Sequence, residues 1–233
     1  MNPVISDQKA EVGLAAVRER IAAACERAGR DVNSVGLVAV SKRKGPDAVR
    51  ALAEAGLDVF GESRVQEARQ KMALCPSGLT WHMIGHIQTN KAGEVVRLFS
   101  YVHAVDSLRL LDALDSAAAA AGVSLPVLLE VNVSGEGSKF GFAPEEVPGI
   151  LEHCTGLMNL DISGLMTIPP FTPDPEEARP HFIRLRELRD GWRAASGFPL
   201  DELSMGMSHD FEVAIEEGAT WIRLGTILFG ERE

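Results

Sequence analysis

The sequence predicts a single (β/α)8 TIM-type barrel carrying an extra N-terminal helix. Three observations point there. Eight short apolar runs recur between residues 35 and 230, each followed by a helical or potentially helical stretch. Eight β/α units in about 200 residues match the size of such a barrel. No Gly/Ser linker or low-complexity run divides the chain, so residues 1–233 read as one domain. A doubly wound open sheet is the runner-up, because periodicity alone does not show closure.

The elements follow in order. Residues 6–29 predict a helix, with Val12, Leu14, Ala15, Val17, Ile21 and Ala24 at mostly helical spacing. The barrel then spans about 35–230. Its strand candidates are "GLVAVS" (36–41), "DVFGE" (58–62), "WHMIGH" (81–86) and "YVHAV" (101–105). Four more follow: "PVLLEVNV" (126–133), "LDISGLMT" (160–167), "ELSMGM" (202–207) and "WIRLGT" (221–226). Between them helices are expected near 46–56, 64–73, 89–98, 107–121, 144–154, 175–195 and 210–217. The Pro-rich "IPPFTPDPEEARP" (168–180) reads as a long loop after strand six.

Composition narrows the function. Thirty-three acids against 23 Lys and Arg give a net charge of −10, which disfavours nucleic acid or an anionic membrane as bulk partner. No run reaches the roughly 18–20 apolar residues of a membrane span. The N-terminus lacks a signal-peptide layout. Cys25, Cys75 and Cys154 are odd in number and widely spaced, so reduced thiols in a cytoplasmic protein are expected.

Barrel chemistry sits at the C-terminal ends of the strands. Here those ends are Ser41-Lys42, Gly61-Glu62-Ser63, Gly85-His86, Asp106, Asn132, Met166-Thr167, Gly206-Met207-Ser208 and Gly225-Thr226. The last two suggest a phosphate site. "SMGMSHDFE" (204–212) gives a glycine, a hydroxyl and a helix start capped by Ser208 or Asp210. "RLGTILFG" (223–230) places Gly225 and Thr226 where a short final helix begins. Unpaired N–H groups and the positive end of the helix dipole then face an anion. The alternative is that these glycines only make tight turns.

Lys42 shares a strand face with Val38 and Val40, and so does Lys44. Lys42 directly continues the strand, while Lys44 precedes "GP", where the chain turns away. A lysine at an apolar rim loses hydration, which lowers its pKa and frees the amine to attack a carbonyl. Across from a phosphate cradle it suits a phosphorylated aldehyde; the alternative is a surface lysine snorkelling from the strand end. Arg223 shares a face with Trp221 and Gly225. Inside the barrel its charge would keep a neighbouring pyridine nitrogen unprotonated; on the outer face it would pair with an acid.

Three constellations are weaker. His82 and His86 share one face of strand three without paired acid spacing, so no metal site is expected, and His82 packing against a ligand ring is the better functional reading. "GHIQTNKAGEV" (85–95) offers Thr89 or Asn90 as a helix cap, with Lys91 in the first turn. "SGEGSKFGF" (134–142) is a glycine-rich turn carrying Lys139, an alternative anion contact.

Seven stretches occur in order: "VAVSK" ending in Lys42, "FGESRVQEA" (60–68), "WHMIGHIQTNK" (81–91), "VNVSGEGSKFGF" (131–142), "GLMTIPP" (164–170), "LSMGMSHDFEVAIEEGAT" (203–220) and "IRLGTILFG" (222–230). Together they resemble the YggS/PROSC family of pyridoxal phosphate homeostasis proteins, over about residues 6–230. The resemblance implies a barrel like the N-terminal domain of alanine racemase, holding pyridoxal 5′-phosphate (PLP). It puts the cofactor's Schiff-base lysine on Lys42, the phosphate contacts on Ser208, Gly225 and Thr226 with Met207 adjoining, and the arginine near the pyridine nitrogen on Arg223. Ser63, His82 and Met166 complete the candidate cofactor set. Where the family usually has Gly-Glu-Asn-Tyr, this chain has Gly61-Glu62-Ser63-Arg64, and Ser63 has a shorter reach than asparagine.

The expected function is PLP buffering or delivery, affecting amino-acid and keto-acid balance, with PLP-dependent apo-enzymes as partners and a monomeric chain. One rival is a PLP-dependent racemase, which needs a second base on the opposite face of the cofactor. Tyr101, the single tyrosine, starts strand four and so sits at the wrong end of the barrel. The other rival is a cofactor-free Schiff-base aldolase, for which Glu62 is the nearby candidate acid/base.

Overall fold

The structure is a computed structural model that describes residues 7–136 and 140–230. Eight strands form a closed barrel: β1 (Gly36–Val40), β2 (Val59–Glu62), β3 (Thr80–Met83), β4 (Tyr101–Val105), β5 (Leu125–Glu130), β6 (Leu160–Met166), β7 (Glu202–Met207) and β8 (Trp221–Leu224). They pair in chain order, each parallel to the next, and β1 closes on β8 with Val38 opposite Arg223. Strands three, five and eight stop two or three residues before their expected ends, which become loop at the barrel mouth.

The helices return each strand to the next. They are α1 (Asp7–Arg27), α2 (Pro46–Glu54), α3 (Val65–Met72), α4 (Ala92–Leu98), α5 (Leu108–Ala121), α6 (Val147–Cys154), α7 (Arg179–Ser196), α8 (Phe211–Glu216) and α9 (Thr226–Phe229). Thr89 and Asn90 do not cap α4. They lie inside a 3-10 turn, Thr89–Lys91, that starts from Gln88. At the start of α8, Asp210 holds the N-cap position, but its carboxylate turns back to accept from the Met207 N–H at 2.6 Å.

The main core lies between sheet and helices, where Ala39, Phe60, Met83, Leu129, Leu165, Leu203 and Ile222 meet Leu52, Leu110, Leu114, Phe182 and Phe211. Each fully buried Leu, Ile, Phe or Met side chain among these contributes about 1.5–3 kcal/mol. The helix expected at 6–29 is α1, which lays Leu14, Val17, Ile21, Ala24 and Cys25 onto this layer. Arg20 and Arg27 pair with Glu212 and Glu216 of α8, and Arg30 donates to the carbonyls of Ile215 and Ala219. Burial pushes the Cys154 thiol up to about 11, which leaves it protonated and unreactive at neutral pH. Among the described residues no helix is long and apolar enough to cross a membrane.

Of the three register shifts in the barrel, on β4, β6 and β7, two set the interior around Arg223. On β4 an extra residue between Val102 and Val105 turns both His103 and Ala104 inward, while the two valines stay in the outer core. On β7 the extra residue lies between Ser204 and Met207, so Ser204 and Met207 pair with inward Trp221 and Arg223. Gly206 makes this bulge feasible. Its φ is +93°, and a Cβ there would sit 2.6 Å from the Ala214 Cβ of α8.

Candidate functional site

A column of polar side chains fills the barrel interior beneath the mouth. Arg223 is 4% exposed and donates through one nitrogen to Ser204 Oγ at 2.5 Å and through another to the Thr167 carbonyl at 2.9 Å. Ser204 Oγ lies 2.8 Å from His103 Nδ1, and His103 Nε2 lies 3.0 Å from His82 Nδ1. A guanidinium only donates, so Ser204 Oγ accepts from Arg223. With the Ser204 proton on the His103 Nδ1 side, His103 carries its own proton on Nε2 and gives it to His82 Nδ1. Burial keeps both rings neutral, holding His82 down at about 4 and His103 well below its ordinary value. Burial also lowers Arg223 to about 10, so it stays a cation at neutral pH. The column thus presents one immobile positive charge near the mouth. Arg223 lies inside the barrel, not on its outer face.

Above Arg223, the segments that follow β7 and β8 form a cradle. Met207 and Asp210 close a turn reciprocally, the Met207 N–H to the Asp210 carboxylate and the Asp210 N–H to the Met207 carbonyl. Ser208 sits within that turn, and its Oγ accepts from the Gly225 N–H at 3.1 Å and the Ile227 N–H at 3.4 Å. Two backbone donors at the start of α9 therefore converge on one oxygen. Thr226 lies between them, exposed.

Lys42 is half-buried just beyond β1, the strand next to β8. Pairing persists to Ser41, whose N–H bonds the Gly61 carbonyl. Arg43 then takes φ +61°, a left-handed conformation that costs a residue with a Cβ about 1–2 kcal/mol. Lys42, Arg43, Ser63, Arg64 and Glu67 line a cavity of about 220 Å³. Lys44 is engaged elsewhere, its amine donating to the carbonyls of Phe229 and Gly230 at 3.1 and 3.4 Å and so capping the C-terminal end of α9.

Acids face this positive charge from the far side. Glu130 ends β5, is 7% exposed, and has the inward parity of Leu128. Burial, reinforced by the nearby Asp106 carboxylate, pushes its carboxyl up to about 7 although Arg223 and His86 oppose this. Asp106 Oδ2 lies 2.5 Å from His86 Nδ1, and the His86 ring stacks on Phe140 with centroids 4.3 Å apart.

The strand-end reading thus brings Lys42, Arg223, Met207, Ser208, Gly225 and Thr226 together on three neighbouring strands, β7, β8 and β1. Ser63 joins Lys42 at the small cavity. His82 and Met166 lie lower. His82 is 3% exposed with its ring among Tyr101, His103 and Trp221, and fully buried Met166 packs on Ala104 and Leu128. Glu62 points the other way, into the layer under α3, bonded to Ser41 and Lys71. That removes the acid/base on which the aldolase reading depended. Tyr101 is in the barrel interior, packed on His103 and Trp221 away from the strand ends. Lys139 lies outside the described residues. Ser204, His103 and Glu130 were not singled out from the sequence; an acid closing the apolar run "PVLLE" was the available signal for Glu130.

The family model described as "Alanine racemase, N-terminal domain" matches residues 12–233. The chain is 47% identical over 221 residues to a pyridoxal phosphate homeostasis protein of Aquifex aeolicus, covering 94% of this chain and 97% of that one. A protein of the same name from Pseudomonas aeruginosa is 48% identical over 223 residues, 94% of each. Among solved structures, PipY of Synechococcus elongatus with PLP bound superposes with a TM-score of 0.81 at 38% identity, over 92% of this chain and all of that one.

Proposed function

We propose, from the premise that this chain belongs to the family of pyridoxal phosphate homeostasis proteins, that it holds PLP at the barrel mouth and serves to buffer or deliver it. The residues present fit that molecule. The observation that carries the reading is the convergence of the Gly225 and Ile227 N–H groups on Ser208 Oγ, one strand away from Lys42. An oxygen-accepting cradle, a fixed buried cation and a strand-end amine match a phosphate, a ring nitrogen and an aldehyde.

When bound, the cofactor supplies an aldehyde that condenses with an amine. Lys42 provides that amine. Ser208, Gly225 and Thr226 hold the phosphate by hydroxyl and backbone donors, and Met207 flanks it. Arg223, pinned by Ser204 and Thr167, keeps a positive charge where a second proton on the ring would be unfavourable. His82 and Met166 support the site from below, and Ser63 lines its side. Tyr101 is removed from the mouth, so this chain offers no tyrosine as a second base, which favours holding and releasing over racemisation. The chain is proposed to act as a monomeric cytoplasmic barrel spanning the whole sequence, passing PLP to apo-enzymes that use it.

The test is the visible absorption spectrum of the purified protein, followed by borohydride reduction and peptide mapping. The expected label is on Lys42. Lys42→Ala is expected to keep its thermal midpoint and lose the trapped adduct; an undiminished trapped yield in that variant would show that another lysine holds the aldehyde.

A further inference from the structure

Behind Lys42, on the helix side of the sheet, lies an ionic cluster that is buried at Glu62 and Lys71 and reaches the Lys42 cavity through Glu67. Lys71 of α3 is 6% exposed. Its amine donates to Glu62 Oε1 at 2.5 Å, to the Ser41 carbonyl at 2.6 Å and to Glu67 Oε1 at 3.1 Å. Ser41 Oγ donates to the same Glu62 oxygen at 2.6 Å, and both residues are fully buried. Glu67 Oε1 in turn accepts the Arg43 N–H at 2.5 Å. Among the described residues, Glu62 Oε2 is buried with no hydrogen-bond partner.

The contacts have a common target. The peptide unit before Lys42 presents its carbonyl to Lys71, and the one after Lys42 presents its N–H to Glu67. The Cα of Lys42 is therefore tied to α3 from both sides. The Lys44 N–H closes a turn onto the same Ser41 carbonyl at 2.9 Å, and this turn together with the tie to Glu67 leaves Arg43 in a left-handed conformation, which a side chain rarely adopts unless its surroundings impose it. A buried ion cluster is a poor source of stability compared with apolar packing, because both charges lose their hydration. One that converges on the backbone of a single residue is better explained by the geometry it imposes there.

We infer that Lys71 and Glu67 are positioning residues for Lys42, clamping the two flanking peptide units so that the Lys42 amine is aimed at the carbonyl of its ligand. The inference rests on the PLP reading and adds to it the device that sets the anchor's reach. In the bond-forming step the Lys42 nitrogen adds to the aldehyde carbon, a C=N bond replaces C=O, and the oxygen leaves as water; nothing is oxidised or reduced. Neither Lys71 nor Glu67 exchanges a proton in that step. They restrict where the amine points, and such restriction is worth large rate factors because misplacement by about 1 Å can cost up to a hundredfold.

The experiment compares the unsubstituted chain with Glu67→Gln, Lys71→Met and Lys71→Arg. Three quantities are read: the rate constant of borohydride-trappable adduct formation at saturating PLP, the affinity for pyridoxine 5′-phosphate, and the thermal midpoint. Pyridoxine 5′-phosphate carries an alcohol in place of the aldehyde, so it reports the cradle without the bond to Lys42. Lys71→Met, which removes the donor, is expected to slow adduct formation tenfold or more, the scale for losing a charged hydrogen bond, and Glu67→Gln, which keeps the acceptor oxygen but loses its charge, to slow it about fivefold. Affinity for the alcohol analogue stays within twofold, and Lys71→Arg, which keeps charge and donors, recovers most of the rate. Parallel loss of rate, analogue affinity and thermal midpoint in both Glu67→Gln and Lys71→Met would assign a structural role only and overturn the inference. An unaltered rate in Glu67→Gln would overturn it as well, even were Lys71→Met not to fold. Absence of any adduct in the unsubstituted chain would instead bring down the PLP reading itself, and this inference with it.

Discussion

Glu130 makes the stability of the ligand-free protein depend on pH in a calculable way. Its carboxyl rises from an ordinary 4.5 to about 7 in the folded barrel because burial disfavours the charged form. The folded state therefore keeps a proton that the unfolded chain gives up between pH 4.5 and 7. Stability contributed by this group is fully present below about 4.5 and is lost as pH rises through about 7. At about 1.4 kcal/mol per pH unit, the whole effect is about 3 kcal/mol. His82 and His103 act in the opposite direction. Held neutral in the fold, they stabilise it above the ordinary histidine pKa and cost stability as pH falls below it. Below about pH 6.5 the two histidines outweigh the single carboxyl, so a simple pH profile would hide the Glu130 slope there.

Glu130→Gln separates them, since an amide of nearly the same shape does not titrate and the histidine contributions cancel in the difference. Denaturant unfolding of both ligand-free chains, in a phosphate-free buffer at pH 5, 6, 7 and 8, is the assay. The variant's advantage should be smallest at pH 5 and grow by about 3 kcal/mol towards pH 8. For a chain of this length that is a rise in midpoint of about 6–12 °C at pH 8 relative to the unsubstituted protein. A gap that stays level within about 0.5 kcal/mol across the series, a third of one pH unit's worth, would mean that Glu130 is ionised throughout. The burial argument would then be wrong, and water or Arg223 would be satisfying the carboxylate.

Two further substitutions test the loop and the bulge that shape the mouth. Ser208→Ala removes the oxygen on which the Gly225 and Ile227 N–H groups converge, so affinity for pyridoxine 5′-phosphate should fall about tenfold, with about 1 kcal/mol lost from the fold; calorimetric titration reads the first and a melting curve the second, and an unchanged affinity would move the phosphate elsewhere. Gly206→Ala puts a Cβ 2.6 Å from that of Ala214 and 3.0 Å from the Phe211 Cα, at φ +93°. It should lose about 2–4 kcal/mol in denaturant unfolding, and a loss under about 1 kcal/mol would show that the β7 bulge relaxes without penalty.

What the sequence made legible, and what it hid, divides along the bulges. Strand number, order and the chemistry of the strand ends depend on apolar runs and on glycines and hydroxyls at fixed places, and these are local properties. Lys42 was readable because β1 is regular: Gly36 and Val38 alternate inward without a break up to the rim. The partners of Arg223 were not readable, because they sit on strands where alternation fails. Strict parity on β4 sends Ala104 outward with Val102, yet the extra residue there puts Ala104 beside His103 in the interior. Gly206 inside the strand was the one local warning of a bulge on β7. Glu130 ends a run buried at every position but Pro126, so no alternation marks its face. Lys71 illustrates a different limit. Four residues after Glu67 on a short helix, it has the pattern of an exposed i,i+4 pair, worth a few tenths of a kcal/mol. Only the packing of α3 behind β2 makes it a buried cation bound to the carbonyl that precedes Lys42. Its role depends on a carbonyl thirty residues away in the chain, a contact that no helical spacing encodes. The question of whether a strand-end lysine is poised for chemistry therefore has its answer as much in α3 as in β1.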